Sequence, residues 1–358
     1  MGNYIIKKLG YAILTLLGII TVIFLLFNVL PGDPARMMLD QKEDPEQLAK
    51  VRKKYGFDKP LIIQYFYYLN DLSPISFHHT APTHYTHLSP GKYKASTLFT
   101  IGKTNIALKK PYLRESFQKT GKRVSQVIAE TLPNTVVLAI SAITIAIILG
   151  ILLGIISAQV KDSWLDNLIQ IISTLGMSVP SFFSAILFAW LFGFVLHEYT
   201  GLRMTGSLYA MDDFGERITI QWKNLILPAL VLGIRPLAVV IQLMRNSLLE
   251  VYNQEYIRTA KAKGLSTLQI IKRHALKNAM NPVVTAISGW FASMLAGAVF
   301  VEYIFGWNGL GKEIVDALNT LDLPIIMGAV LIIASLFIII NILVDIIYSW
   351  LDPKIRLT

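Results

Sequence analysis

Apolar stretches with few or no charges recur six times along the chain: Leu9–Leu30, Thr135–Ala158, Leu168–Leu196, Leu225–Met244, Val283–Val301 and Ile325–Leu351. A helix needs about 20 mostly apolar residues to cross the hydrocarbon core of a bilayer, so each stretch predicts one membrane-spanning helix. The first begins like a secretory signal, with Lys7 and Lys8 ahead of it, but it runs for 22 residues. That is about 33 Å of helix, and it ends in Pro31-Gly32-Asp33-Pro34 in place of a small-residue cleavage site, which predicts a retained span. The third stretch is 29 uncharged residues long. Two spans would need about 40, so a single tilted helix bent near Pro180 is expected.

Six spans put both termini on one side, and the short loops then assign the sides. Lys7, Lys8, the basic connection Arg245–Pro282 and the tail residues Lys354 and Arg356 fall on one face, which is expected to be cytoplasmic. Glu302, Glu313, Asp316 and Asp322 fall on the other. The long connection Pro31–Pro133 is basic as well, but loops of that length cross a membrane largely regardless of charge. Within it, Pro45–Tyr55 has helix-forming composition, Ile62–Leu72 is rich in aromatic residues, and Ser73–Pro111 reads as irregular. The predicted division is an N-terminal span (1–30), an extracytoplasmic segment (31–132), a five-span core (133–351) carrying the loop 245–282, and a cytoplasmic tail (352–358).

Small residues recur at every fourth position in the second span (Ala146, Gly150, Gly154) and in the fifth (Gly289, Ser293, Gly297), which allows close helix approach. Packing within one subunit is the favoured reading of both faces, with a subunit interface as the alternative. The Arg245–Pro282 connection is basic, yet it also carries apolar residues at helical intervals. Leu248, Val251, Tyr252, Tyr256 and Ile257 suit one helix, Gly264 interrupts, and Leu268, Ile271 and Ala275 suit a second. A helix, a glycine turn and a helix with an apolar side is suited to docking a partner protein.

Composition narrows the class. At 54% hydrophobic and 16% charged, the 358-residue chain is too apolar for an ordinary soluble domain. The formal charge of +10 is better placed in loops beside an anionic membrane face than on nucleic acid. No cysteine is present, which removes disulfides, thiolate metal sites and thiol nucleophiles.

Glu255-Tyr-Ile-Arg-Thr-Ala-Lys-Ala-Lys-Gly-Leu265, with Arg273-His-Ala-Leu-Lys-Asn-Ala279 and Pro282, resembles the EAA loop of ABC importer permeases. The form is that of the first permease of the oligopeptide, dipeptide and nickel family, with Arg258-Thr259-Ala260 where the general motif has Glu-Ala-Ala and with Gly264 at its glycine. The motif's final Leu-Pro is absent, since Lys277 follows Leu276. The resemblance extends over nearly the whole chain: Leu30-Pro-Gly-Asp-Pro34, Tyr55-Gly-Phe-Asp-Lys-Pro60, Thr131-Leu-Pro-Asn-Thr135, Val301-Glu-Tyr-Ile-Phe305, Gly309-Leu-Gly311, Asn341-Ile-Leu-Val-Asp345 and Asp352-Pro-Lys-Ile-Arg356. Roughly 73–112 departs from it as an insertion.

The resemblance implies an all-α polytopic membrane protein of the type I importer permease (MetI-like) fold. It implies a non-catalytic subunit that forms part of a path for short peptides or a similar small solute. Its implied partners are a second homologous permease, two ATP-binding subunits that hold the ATP and Mg²⁺, and an extracytoplasmic binding protein. The coupling contacts it implies are Glu255, Tyr256, Arg258, Thr259, Ala260, Lys261 and Gly264. A nickel or metallophore permease of the same family and a self-sufficient channel are the alternatives.

Other residues invite chemistry. Gly102-Lys103-Thr104 looks like the end of a phosphate loop, but Thr97 stands where the first glycine would be. His78, His79, His84 and His87 lie within ten residues, as a transition-metal site or as a solvated polar loop. Arg235 sits mid-span, where a charge is expensive unless it faces protein or water. Two readings stand level: a bridge to Asp345, or a cavity cation for a substrate carboxylate. Ser178 and Pro180, which interrupt the third span, and Asn341 in the sixth are further intramembrane polar or broken positions that could line a path. No span offers paired catalytic residues for an intramembrane enzyme.

Overall fold

The computed structural model describes residues 2–29, 34–37, 44–89, 91–211 and 217–351. The proposed tail 352–358 and most of the Leu30–Pro34 motif lie outside the described residues. In chain order the elements are α1 (Gly2–Val29), α2 (Pro34–Met37), α3 (Pro45–Tyr55), α4 (Leu61–Leu72), β1 (Ile75–His79), β2 (Ala95–Ile101), β3 (Thr104–Lys109), α5 (Val124–Gln159) and α6 (Trp164–Ser178). Next come α7 (Ser181–Trp190), a π-helical turn (Leu191–Val195), α8 (His197–Thr200), β4 (Tyr209–Met211), β5 (Ile218–Ile220), α9 (Lys223–Tyr252) and α10 (Glu255–Ala262). The chain closes with α11 (Thr267–Ile270), a second π-helical turn (Ile271–Ala275), α12 (Leu276–Gly297), α13 (Val299–Phe305), α14 (Leu310–Asn319) and α15 (Leu323–Leu351). These elements form two compact units, one within Met1–Glu130 and Ile314–Ser335, the other within Thr131–Glu313 and Leu336–Leu357.

In the first unit, α1, α4 and the start of α15 pack through Ile23, Phe24, Tyr68, Leu72, Met327 and Leu331. Segment 73–112 is not irregular: β1, β3 and β2 form an antiparallel sheet in that order. Hydropathy conceals these strands because their polarity is inverted, with Ser76 and His78 of β1 buried and Ile75 and Phe77 exposed. The supposed phosphate-loop fragment is the hairpin turn, with Gly102 at φ +58° and Ile101 paired to Thr104 on either side. The interior is a polar and aromatic knot around Asp71, which is 1% exposed. Its carboxylate accepts from Arg114 Nε (3.0 Å), Tyr85 Oη (3.1 Å) and Tyr93 Oη (2.8 Å), and its carbonyl accepts from Lys109 Nζ. Burial pushes both phenols well above their ordinary range.

The second unit shows how its helices cross. At one end Asn134 near the start of α5 donates to Asn308 O (2.7 Å), Trp307 Nε1 donates to Asn134 O (3.0 Å), and Asn224 at the start of α9 donates to Ser207 O (3.0 Å). The backbone N–H of Asn308 completes the ring on Ser207 Oγ at 3.2 Å. At the other end Ser157 of α5, Asp166 of α6 and Arg245 of α9 bond to one another, and Ala279 and Val283 of α12 pack with Met244 and Leu248 of α9. Four passes therefore run between the same two ends: α5, α6 with α7, α9, and α12 with α13. Asn224 and Arg245, 21 residues apart on one helix, set the ends about 32 Å apart, enough to cross a bilayer core. With Ile6–Phe27 of α1 and Leu323–Ile346 of α15, both long and apolar enough to span, this gives up to six candidate passes among the described residues, counting each bent pair as one.

Two of them are broken, and the expected tilted third span is one. Helices α6 and α7 meet at 111° across Val179–Pro180, far sharper than a proline kink in a continuous helix. The fifth pass bends by 57° between α12 and α13. The second pass starts earlier than predicted, at Val124, with Pro133 inside the helix.

The two small-residue faces differ. A Cβ on Gly154 would meet Met244 Cβ at 2.6 Å and Ile241 O at 2.9 Å, and one on Gly150 would meet Val240 Cγ1 at 2.6 Å, so this face packs within the chain on α9. Gly289 has nothing within 4 Å and Ser293 is exposed, so packing within the subunit does not explain the fifth-span face. Gly154→Ala is accordingly expected to destabilise the chain by about 1–3 kcal/mol through overpacking, while Gly289→Ala leaves the isolated chain unchanged or slightly stabilised. Thermal unfolding of the detergent-solubilised variants checks the contrast.

Candidate functional site

The seat of the 245–282 loop is apolar. The last turns of α9 present Met244, Leu248 and Val251, and the start of α12 adds Ala279 and Val283. Onto this surface α10 places Ile257 (0% exposed) and Ala260 (4%). The opposite face, with Glu255, Tyr256, Arg258, Thr259 and Lys261, is exposed. Ala260 was expected among the contacts, and its burial makes it an anchor instead. The first helix of the loop is also not continuous. It ends at Tyr252, and Gln254, in an extended conformation (φ −78°, ψ 147°), separates it from α10. The break turns α10 so that it lies on the ends of the spans.

Gly264 stands at φ +79° with nothing within 4 Å of a notional Cβ, so it is the backbone conformation and not space that calls for glycine. Ser266 and Gln269 form a reciprocal capping box at the start of α11, and the chain then runs through a π-helical turn into α12. Tyr256 Oη accepts from Asn278 Nδ2 at 2.8 Å, which ties α10 to the fifth pass. Around this rigid piece Arg258, Lys261, Lys263, Lys272, Arg273 and Lys277 are exposed, with Tyr256 (40%) and Leu268 (60%) as apolar anchors. The surface is basic with an apolar centre, a composition suited to an acidic-rimmed cleft on another protein.

Below the loop, Asp166 and Arg245 make a bidentate pair, Nε to Oδ1 at 2.8 Å and Nη2 to Oδ2 at 2.6 Å, with the carboxylate 1% exposed. Ser157 Oγ and the Asp162 N–H (3.0 Å) also donate to that carboxylate. Sequence reasoning gave Asp166 no role. The available signal was its position, the acid heading the third span on the face where Arg245 ends the fourth.

Arg235 does not bridge to Asp345. Its Nη2 lies 3.5 Å from Val179 O, a carbonyl exposed at the break between α6 and α7. Arg235, Val179, Ser181, Trp290 and Ser293 line one small cavity of about 100 Å³. Pro180 creates the break, but Ser178 Oγ turns back to Thr174 O (2.8 Å), and Asn341 Nδ2 to Phe337 O (2.9 Å), each within its own helix. Asn341 and Asp345 lie on α15 and are not brought to this cavity.

The histidines do not form a metal site, and among the described residues no three His, Asp or Glu side chains converge for one. His78 is buried between Thr86 O (2.8 Å from Nδ1) and Ser76 Oγ (2.8 Å from Nε2), and burial holds its imidazole below the usual range. Nδ1 of His79 accepts from the Ala81 N–H (3.0 Å), that of His84 pairs with Thr86 Oγ1 (2.8 Å) and that of His87 with His79 O (3.2 Å). They hold the loop together.

At the other end of the second unit, the fully buried Glu302 accepts from the N–H groups of Gly311 (2.7 Å) and Lys312 (3.1 Å) and so caps α14. A Cβ on Gly309 would fall 2.5 Å from the Glu302 carboxyl carbon, and one on Gly311 2.6 Å from Val299 Cα. Thr135 Oγ1 accepts from Leu310 N at 2.8 Å. The separate motifs Thr131–Thr135, Val301–Phe305 and Gly309–Gly311 are thus parts of one folded knot.

Comparison with known proteins agrees with this geometry. Residues 150–357 match the family described as binding-protein-dependent transport system inner membrane component, and residues 1–84 match that family's N-terminal region. The dipeptide transport system permease protein DppB of Alkalihalophilus pseudofirmus is 32% identical over 99% of this chain and 100% of its own length. A putative peptide transport system permease of Brucella abortus is 34% identical over 99% of each chain. The di/tripeptide transport system permease DppB of Pseudomonas aeruginosa is 31% identical, again over 99% of each. In fold, the chain is similar to the inward-facing MetNI methionine ABC transporter, with TM-score 0.50 at 13% identity, over 64% of this chain and 97% of that one. The chain belongs to the family of binding-protein-dependent transport system inner membrane components, and is a multi-pass membrane permease subunit of an ABC importer, not itself an enzyme.

Proposed function

We propose that this chain forms part of the translocation path for short peptides in an ATP-driven importer, and that α10 with its flanking residues 245–282 is where it docks a partner ATPase. The exposed basic and apolar face of α10, pinned to the ends of the spans by Ile257, Ala260 and Tyr256, carries the coupling reading. The peptide reading is supported by the relatives of matching length, which are named as dipeptide or peptide permeases. In this scheme the partners are a second homologous permease, two ATP-binding subunits and an extracytoplasmic binding protein. ATP and Mg²⁺ reside on the partner subunits, and this chain holds no cofactor of its own. Both termini and the 245–282 loop lie on the cytoplasmic side of a bacterial plasma membrane.

The assembled importer in proteoliposomes, supplied with its binding protein and a labelled dipeptide, is expected to accumulate the peptide only when ATP is present on the α10 side. Accumulation of Ni²⁺ without peptide, or solute flux that needs no ATP, would overturn the proposal.

A further inference from the structure

The first unit contains a cavity of about 670 Å³, within the range of small-molecule sites and well apart in size from the cavity at Arg235. Its aromatic wall includes Phe57 and Phe117, edge to face at 6.2 Å, with Tyr112. Three lysines line it, Lys50 and Lys53 from α3 and Lys92 from the loop between β1 and β2, and Glu115 is the one acidic residue among its lining.

Lys92 is the informative group. Its Nζ lies 3.8 Å from the centre of the Tyr85 ring and 4.9 Å from that of Tyr93, and it donates to Tyr85 O at 3.3 Å. An ammonium has three donors, and among the described residues no carboxylate comes within ion-pair distance of this one. The neighbouring Arg114 is different, since Asp71 holds it at 3.0 Å. Burial lowers the Lys92 pKa to about 8, with the more distant Asp71 and Glu115 carboxylates offsetting only part of that desolvation. Aromatic faces offset part of that desolvation but leave the donors facing the cavity unfilled.

We infer that this cavity binds a small carboxylate carrying an apolar or aromatic group, the chemistry of a short peptide's C-terminal end, with Lys92 receiving the carboxylate and the Phe57 and Phe117 wall receiving the side chain. The inference does not rest on the proposed transport of peptides, because the cavity and its unpaired cation lie wholly in the first unit.

Calorimetric titration of the full-length chain in nanodiscs, without ATP or partners, tests it with the dipeptide Ala-Phe and its C-terminal amide. The amide is expected to bind about tenfold more weakly, and Lys92→Met to weaken Ala-Phe by about the same factor with the unfolding temperature kept. Lys53→Gln is expected to weaken binding modestly and Glu115→Gln to tighten it, and these opposite shifts test the site even where Lys92→Met does not fold. Equal binding of peptide and amide, no binding by the unsubstituted chain, or shifts of the same sign for Lys53→Gln and Glu115→Gln would overturn the inference. None of these outcomes bears on the transport assay.

Discussion

Removing Glu255–Gly264 is expected to abolish ATP-driven transport and to release the ATPase subunits from the complex. The deleted residues include the whole exposed face of α10, so no other part of the 245–282 loop can present the same basic and apolar surface. They also include Ile257 and Ala260, which fill the seat against Met244 and Leu248, so the deletion costs stability as well. A surface variant separates the two effects. Arg258→Glu with Lys261→Glu changes exposed side chains only and leaves the Tyr256–Asn278 bond in place. Arg258 loses just an exposed pair with Glu255 (2.7 Å), of a kind worth about 0–1 kcal/mol. This charge-reversal variant should fold normally yet lose ATPase co-purification and uptake together. Gly264→Val should weaken coupling by another route, since a β-branched residue at φ +79° carries about 1–2 kcal/mol of backbone strain with no steric contact to relieve. A chain that still conducted solute after the deletion would be a channel, and the coupling assignment would fall.

Asp166→Ala is expected to be the most destabilising single substitution outside the loop, by about 3 kcal/mol, at the low end for a broken buried pair because Arg245 keeps 17% of its surface exposed. The substitution strands the Arg245 guanidinium and removes the acceptor of Ser157 and of the Asp162 N–H together. Three passes lose their common tie at the end from which the 245–282 segment departs. Asp166→Asn retains acceptor and donor capacity and should fall between the two. Replacing both partners by apolar residues of similar size, Asp166→Leu with Arg245→Met, should recover much of the loss, because no buried charge is then left alone. Thermal unfolding in detergent, with membrane yield as a second readout, measures all three. A double variant no better than Asp166→Ala would show that the hydrogen bonds of Ser157 and Asp162, and not the stranded charge, dominate.

The candidate passes and the position of the 245–282 loop between two of them were legible in the sequence because hydrocarbon imposes length and polarity on every helix that crosses it. The helix breaker Gly264 was legible for a similar reason, since only glycine readily takes that conformation. The strands of segment 73–112 were not, because Ser76 and His78 face inward around Asp71 and reverse the usual alternation. Nor was the 111° break at Pro180, which a proline permits but only the packing of α6 and α7 along α9 sets. Residues far apart in sequence met by tertiary structure alone: Asp166 with Arg245, Arg235 with Val179 in place of Asp345, and Glu302 with Gly311. By itself the sequence determined which segments are long and apolar enough to cross a membrane and where glycine turns the chain, since both follow from transfer of single side chains and local backbone geometry. Which charges pair, which small faces are filled and where Lys92 lacks an anion were decided by the tertiary structure, because each depends on the distance between groups that the chain brings together only when folded.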